Sequence, residues 1–308
     1  MKDQTVCIIA CLKQEELYIK EWLNWHIKCG INHFYLCDNN DSNYIPKLQD
    51  VIQDYINKDI VTIFNYNDIW PIQPQCYTDI YDKIGNKYDW ILVIDIDEFI
   101  CLPKYNNQIK EYLKEVPEYI KCIGINWRYY GDNELIKYED KPVQERFTNP
   151  ITLINDDEYK FINGQSRIVK SIIRGKQYFD YDRKIFHQHC AVHKNCTDVK
   201  ENFYDVLFNQ IYARTNNNLA KSELSNINSE YFENLYNTFY IKHYVTKTIE
   251  EYVTTKIYRG DTLKSKDDAT YPYSIDKFFG MNNKTMKKIN FINNKYNLNY
   301  NDFNRLVD

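Results

Sequence analysis

Residues 90–100 read WILVIDIDEFI, an unbroken apolar run that stops on Asp95, Asp97 and Glu98. A strand apolar at every position, without alternation, is one buried on both faces, as in a parallel sheet. Its C-terminal tip is where such a strand leaves the sheet, so the carboxylates fall at a rim open to ligand. Working outward, three more runs of this kind precede it: TVCIIACL, INHFYLCDN and IVTIFNYN. Between them lie helical patterns. EELYIKEWLNWHIKCG puts Tyr18, Trp22, Trp25 and Cys29 on one face and closes at Gly30; YIPKLQDVIQDYINKD turns Leu48, Val51, Ile52 and Tyr55 inward; QCYTDIYDKIGNKY follows. The alternation predicts βαβ units and an α/β, Rossmann-like fold, with a mainly parallel central sheet and helices on both faces. Such sheets take their ligands beyond the carboxyl ends of the strands.

The chain has 308 residues, enough for one large α/β domain or two smaller ones, between which length does not choose. We expect the catalytic unit at 1–260 and a helical C-terminal extension at 261–308, with a terminal helix around KTMKKINFINNKY. A formal net charge of -4 provides no global basic field for nucleic acid or an anionic membrane, so any polyanion must be met locally and membrane contact is at most peripheral. The nine cysteines, Cys7, Cys37, Cys101 and Cys122 among them, lie in apolar runs without paired spacing and read as reduced, buried thiols. The opening stretch MKDQTVCIIACLKQEELY is too short in its apolar part for a signal peptide or membrane span, which gives a cytoplasmic expectation and no transmembrane segment.

Asp95 and Asp97, two apart on extended backbone, point to one side and can converge on a hard cation, Mg²⁺ or Mn²⁺, that leaves positions for phosphate oxygens. The bland alternative is that the acids merely end the strand and cap a turn. The first strand runs into Lys13, Gln14 and Glu15 and the second into Asp38, Asn39 and Asn40. On one rim with the acidic cluster these form a nucleotide pocket, with Asp38 accepting from ribose or base and the diphosphate lying toward the metal. Turn chemistry alone also accounts for DNNDSN.

CLKQEELYIKEWLNWHIKCGINHFYLCDNNDSN followed by DWILVIDIDEFI resembles glycosyltransferases of the family 2 and family 92 type (DUF23-like), which have a GT-A fold. The resemblance rests on Glu21, Trp22 and His26, on the stretch from Gly30 to Asn39, and on the acidic signature from Asp95 to Phe99. It extends to INWRYYGDNE, SRIVKSIIR and IKHYVTKTIEEYVTTKIYRGD. It implies a metal-dependent, inverting transfer of a hexose from a nucleotide-sugar donor, most often a UDP-sugar, to a hydroxyl of a glycan acceptor. By position, Asp95 and Asp97 would hold the Mn²⁺ or Mg²⁺, Asp38 and Asn39 would line the nucleoside pocket, and Lys13 and Glu15 its first loop. That loop departs from the family's K-N-E in having Gln14.

The chemistry asks for charge stabilisation on the departing diphosphate and a base for the acceptor hydroxyl. Base candidates are Asp132 and Glu134, or Asp156 and Asp157, with Asp132 preferred because CIGINWRYYG should lie beside the metal strand. His243, in the block carrying the resemblance, is the candidate third metal ligand; a core histidine is the alternative. Among the basic residues Lys170, Arg174, Lys247, Lys256 and Arg259, we single out Lys247 and Arg259 as diphosphate partners on a predicted helix ended by Gly260. His187, His189, Cys190, His193 and Cys196 invite a zinc reading, which strand alternation opposes. Two rival functions remain: a haloacid-dehalogenase-like phosphatase using Asp95 and Asp97, though Phe99 does not fit its motif, and a glycan-binding protein on a decayed transferase scaffold.

Overall fold

The computed structural model describes residues 3–69, 72–151, 161–162, 165–166, 168–179, 203–214, 219–221, 229–260 and 273–282. Its strands are β1 (Val6–Leu12), β2 (His33–Asp38), β3 (Val61–Asn65), β4 (Trp90–Val93), β5 (Glu98–Cys101), β6 (Cys122–Tyr129), β7 (Phe161–Ile162), β8 (Gln165–Ser166), β9 (Val169–Arg174), β10 (Phe203–Asp205), β11 (Tyr212–Arg214), β12 (Leu219–Lys221) and β13 (Tyr240–His243). The helices are α1 (Ile19–Lys28), α2 (Leu48–Val51), α3 (Gln53–Asn57), α4 (Gln73–Ile84), α5 (Ile109–Glu115), α6 (Val143–Arg146), α7 (Ser229–Thr238), α8 (Ile249–Tyr252) and α9 (Ile275–Met281). β7 pairs with β8 and β11 with β12 in separate two-stranded ribbons.

The central sheet runs β3-β2-β1-β4-β9-β6-β13-β5, with β10 beside β6. β3, β2, β1 and β4 are parallel neighbours, as are β6 with β13 and β10. β9 lies antiparallel between β4 and β6, and β5 antiparallel on β13. This is the mainly parallel α/β arrangement that the alternating pattern predicts. β1 shows why its sequence needs no polar face. Val6, Ile8, Ala10 and Leu12 pack with Trp22 and Leu23 of α1 on one side, while Cys7, Ile9 and Cys11 pack with Cys76, Tyr77, Ile80 and Tyr81 of α4 on the other. Cys7, Cys37, Cys101 and Cys122 are buried and form no disulfide bond among the described residues. Among the described residues no helix is long and apolar enough to cross a membrane.

The structure departs from the sequence reading in three places. The run WILVIDIDEFI is two strands, not one: β4 ends at Val93, the Glu98 N–H donates to the Asp95 carbonyl at 3.2 Å to close a turn, and β5 sets off along β13. Asp95 and Asp97 therefore sit on a turn, where the two-residue alternation of extended backbone does not apply. Second, β6 is not beside β4; β9 comes between them. Third, the helix expected over 44–59 is broken into α2 and α3 at Ile52, whose φ of −115° is not helical. The terminal helix expected around 284–296 lies outside the described residues. α9 packs Phe278 and Phe279 on Tyr252 and Val253.

Candidate functional site

The acidic turn is pinned from below by α1. Trp22 donates its indole N–H to the Glu98 carbonyl at 2.8 Å and to the Asp95 carbonyl at 3.1 Å. Trp25 donates to the Ile100 carbonyl at 2.8 Å. His26 sits between them, with Nδ1 2.8 Å from the Trp22 carbonyl and Nε2 accepting from the Ile100 N–H at 3.3 Å. Burial pushes the His26 pKa down to about 3, so the ring is neutral, as an acceptor nitrogen requires. Glu21 accepts from the Val143 and Gln144 N–H groups at the start of α6. The residues of this helix that carry the resemblance thus hold the acidic turn and its surroundings in place.

On the turn the two aspartates are treated differently. Asp95 Oδ2 accepts from Lys170 Nζ at 2.6 Å, and Oδ1 from Gln73 Nε2 at 3.1 Å. Lys170 is wholly buried and lies 3.5 Å from Glu98 Oε2, which itself accepts the Asp95 N–H at 2.9 Å. Asp97 Oδ2 accepts from Lys256 Nζ at 2.8 Å, and its Oδ1 lies 3.6 Å from His243 Nε2. Burial opposes ionisation of Asp97, yet Lys256 and His243 beside it hold its pKa well below the usual carboxylate range. Burial, aided by Asp95 and Asp97 against the pull of Lys170, pushes Glu98 well above its ordinary value. Burial also lowers the His243 pKa, only partly offset by Asp97.

Asp97, Glu98 and His243 each offer a donor atom, and these atoms lie within 4.8 Å of one another. His243 Nδ1 and Glu98 Oε1 are buried without a hydrogen-bond partner among the described residues. Two carboxylates and an imidazole form a donor set that suits Mn²⁺ or Mg²⁺. The turn gives the two aspartates different neighbours: Asp97 lies beside His243 and Lys256, and Asp95 beside Lys170 and Gln73. His243 gets there because β13 runs alongside β5, in the register His243 to Glu98.

The first loop is held from the C-terminal part of the chain. Arg259 donates to Glu15 Oε1 at 2.6 Å and to the Lys13 carbonyl at 2.5 Å. Lys13 pairs with Asp41 at 3.0 Å. Gln14 has φ of 52°, a left-handed conformation that asparagine tolerates better, which is the physical content of the departure from K-N-E. Asp38 caps its own turn by accepting the Asn40 N–H at 3.1 Å, and burial raises its pKa. Asn39 spends its amide N–H groups on the Tyr66 and Ile69 carbonyls, both at 2.8 Å, so it shapes the rim without presenting those donors to a ligand.

Lys247, at φ 51°, is buried with its ammonium 4.4 Å from the Tyr18 ring, and no carboxylate lies within ion-pair distance of it among the described residues. Burial lowers its pKa, against the pull of Glu15 and Asp97. The block around it is fixed by Glu251, which closes a capping box with Thr248 and takes a bidentate pair from Arg146 at 2.7 and 2.9 Å.

Asp132 lies three residues past β6 and is buried; its Oδ1 accepts the Glu134 N–H at 3.1 Å and its own N–H donates to Asn282 at 2.8 Å. The rim is shared with His243 through the Tyr130 N–H, which donates to the His243 carbonyl at 3.1 Å. Glu134 is exposed on the same turn. Asp156, Asp157, His187, His189, Cys190, His193 and Cys196 lie outside the described residues. Sequence reasoning noted Lys170 and Lys256 but did not single them out, and it missed Gln73 and Glu98 as participants. A lysine inside the apolar run IVKSII was the available signal for Lys170. Nothing local marks the rest.

A model of glycosyltransferase family 92 matches residues 2–289. Similar curated proteins include a family 92 protein of Ricinus communis, 27% identical over 33% of this chain and 18% of its own length, and one of Arabidopsis thaliana, 24% identical over 59% of this chain and 32% of its own. The chain thus spans a third or less of the length of these relatives. Among solved structures, a mannosyltransferase of Pyrobaculum calidifontis in complex with GDP-Man and Mn²⁺ is 12% identical, with a TM-score of 0.33 and coverage of 42% of this chain and 37% of that one. Staphylococcal TarS is 18% identical at a TM-score of 0.32, covering 55% and 28%. The family match over nearly all of the sequence places this chain in glycosyltransferase family 92.

Proposed function

We propose that this chain transfers a hexose from a nucleoside-diphosphate sugar, a UDP-sugar by preference, to a hydroxyl of a glycan acceptor, with inversion and with Mn²⁺ or Mg²⁺ bound by Asp97 and His243. The observation that carries the reading is the charge arrangement at the sheet rim. Lys170 pairs with Asp95, Lys256 with Asp97 and Arg259 with Glu15, while Lys247 is buried with no carboxylate in reach among the described residues. Buried cations in excess of their carboxylate partners are costly without an anionic ligand. A diphosphate is an anion of the right charge, and the rim beyond parallel strands is where such sheets bind nucleotides.

When bound, the metal supplies Lewis-acid stabilisation of the charge on the departing diphosphate. The chain's own residues do the rest. Lys247 and Arg259 face the same developing charge from the first-loop side, preorganised by Tyr18 and Glu15. Trp22 and His26 hold the turn so that Asp97 stays aimed at the rim. Asp132 takes the proton of the acceptor hydroxyl, a role that requires its carboxylate to leave the Glu134 N–H or to share it.

The test is a melting-temperature screen of UDP, GDP and their sugars with and without Mn²⁺, followed by donor turnover in Asp97→Ala. Binding to the native state raises apparent stability by mass action. We expect metal-dependent stabilisation by a nucleotide sugar and a loss of turnover of at least ~100-fold in the variant. No stabilisation by any nucleotide, or full turnover in Asp97→Ala, would remove the proposal.

A further inference from the structure

We infer that Lys256 is an exchangeable counter-ion: it holds Asp97 until a metal binds, then moves to the donor's diphosphate, so that metal and nucleotide load as a coupled pair. This rests on the metal-and-nucleotide reading of the same site and adds to it the order and mutual dependence of loading.

Asp97 meets a cation through one oxygen and faces an imidazole with the other. Oδ2 accepts from Lys256 at 2.8 Å and Oδ1 faces His243 Nε2 at 3.6 Å. A divalent cation placed between Asp97 and His243 would meet the Lys256 ammonium on the same carboxylate. Two cations sharing one buried carboxylate repel each other strongly, so one must leave. Displacement exacts its own cost, because Lys256 is buried and would give up its ion pair with Asp97. Diphosphate oxygens remove that cost by giving Lys256 a new anionic partner. Metal binding is thereby disfavoured by Lys256 when no nucleotide is present, and favoured by it when one is.

Two features set Lys256 apart from Lys170. Lys170 is clamped between two carboxylates, Asp95 at 2.6 Å and Glu98 at 3.5 Å, on the interior strand β9. Lys256 instead sits in a π-helical segment, Val253–Tyr258. That wider coil is rare and is frequently found at functional sites. The segment runs straight into Arg259, which grips the first loop, and Gly260 at φ 78°. A shift of this turn moves Lys256 and Arg259 together, toward or away from the position the diphosphate would take.

The experiment is calorimetric titration of the full chain with Mn²⁺ alone, with UDP alone, and with each in the presence of the other. It is done on the wild type, Lys256→Met and Lys256→Gln; the glutamine keeps an N–H for Asp97 and guards against misfolding. In the wild type, saturating UDP should tighten Mn²⁺ binding on the order of tenfold or more, and Mn²⁺ should tighten UDP by the same factor. In the variants, Mn²⁺ alone should bind on the order of tenfold tighter than it does to the wild type, and the coupling should fall to about threefold or less. Independent binding of Mn²⁺ and UDP by the wild type overturns the exchange whatever the variants do. So does unchanged or weaker Mn²⁺ binding in a folded variant, the result expected of a merely structural lysine. A wild type that binds neither probe under any condition removes the functional reading itself, an outcome distinct from binding without coupling.

Discussion

Replacing Trp22 with Phe tests whether α1 holds the acidic turn. The indole N–H is shared between two carbonyls, Glu98 at 2.8 Å and Asp95 at 3.1 Å, in a fully buried setting. After the substitution the Asp95 carbonyl keeps the Glu98 N–H at 3.2 Å, whereas the Glu98 carbonyl loses this donor. An unsatisfied buried carbonyl costs about 1–3 kcal/mol, and the smaller ring leaves a void worth about 1 kcal/mol more. The sum, about 2–4 kcal/mol, corresponds to a fall in Tm of roughly 3–6 °C for a chain of this length, at ~2.1 cal/mol/K of unfolding entropy per residue. The control is Trp25→Phe, which removes a single bond to the Ile100 carbonyl from a half-buried position and should cost only about 1 kcal/mol. Urea unfolding of the two variants, with UDP titrations in the presence of Mn²⁺, reads both consequences. Trp22→Phe should be the less stable and should bind UDP and Mn²⁺ on the order of tenfold more weakly, because the turn it releases carries Asp97. Equal stability of the two variants, or unaltered UDP and Mn²⁺ binding in Trp22→Phe, would refute the role given to this helix.

Three further outcomes follow from the geometry. Asp132→Asn should slow transfer by about 10²–10⁴-fold while sparing UDP binding, and unchanged transfer would move the base elsewhere. Arg146→Met should destabilise the fold by about 3–5 kcal/mol in urea, since it leaves Glu251 buried and uncompensated; a cost below ~1 kcal/mol would contradict that. Acid sensitivity should trace to His26, whose native pKa of about 3 lies below its unfolded value of ~6.5. Above ~6.5 both states are neutral; below it the unfolded chain takes a proton the native chain refuses, so this group's contribution to stability falls by ~1.4 kcal/mol per pH unit until the native ring titrates. His26→Gln should flatten the pH dependence of unfolding between about pH 6 and 4 by one proton; an unchanged slope would count against it.

What the sequence disclosed, and what it hid, follows from the range of each signal. β1, β2, β3, α1 and α4 were legible because their burial patterns are local and periodic. The break at Asp95–Asp97 was not, since Ile94 and Ile96 are buried and keep the run apolar through the turn. The antiparallel intrusion of β9 between β4 and β6 depends on pairing Val93 with Ser171 and Ile125 with Lys170, contacts that no local pattern announces. The same holds for the site. Asp97 and His243 were each marked by their neighbours in sequence. Their cationic partners were not: Lys170 reaches Asp95 across 75 residues and Lys256 reaches Asp97 across 159. Asp95, read as a metal ligand from its position, also carries a salt bridge to Lys170, and Asn39, read as part of the nucleotide pocket, also fastens its loop through the Tyr66 and Ile69 carbonyls.

The central claim is that Asp97 and His243 together hold a divalent cation beneath a nucleoside diphosphate. Crystals grown with UDP and Mn²⁺ and measured at the manganese edge test it most directly. The account predicts one anomalous peak within bonding distance of Asp97 and His243, touching diphosphate oxygens, with Lys256 turned from Asp97 to the diphosphate. A bound UDP with no peak there, or with manganese held by Asp95 instead, would contradict it.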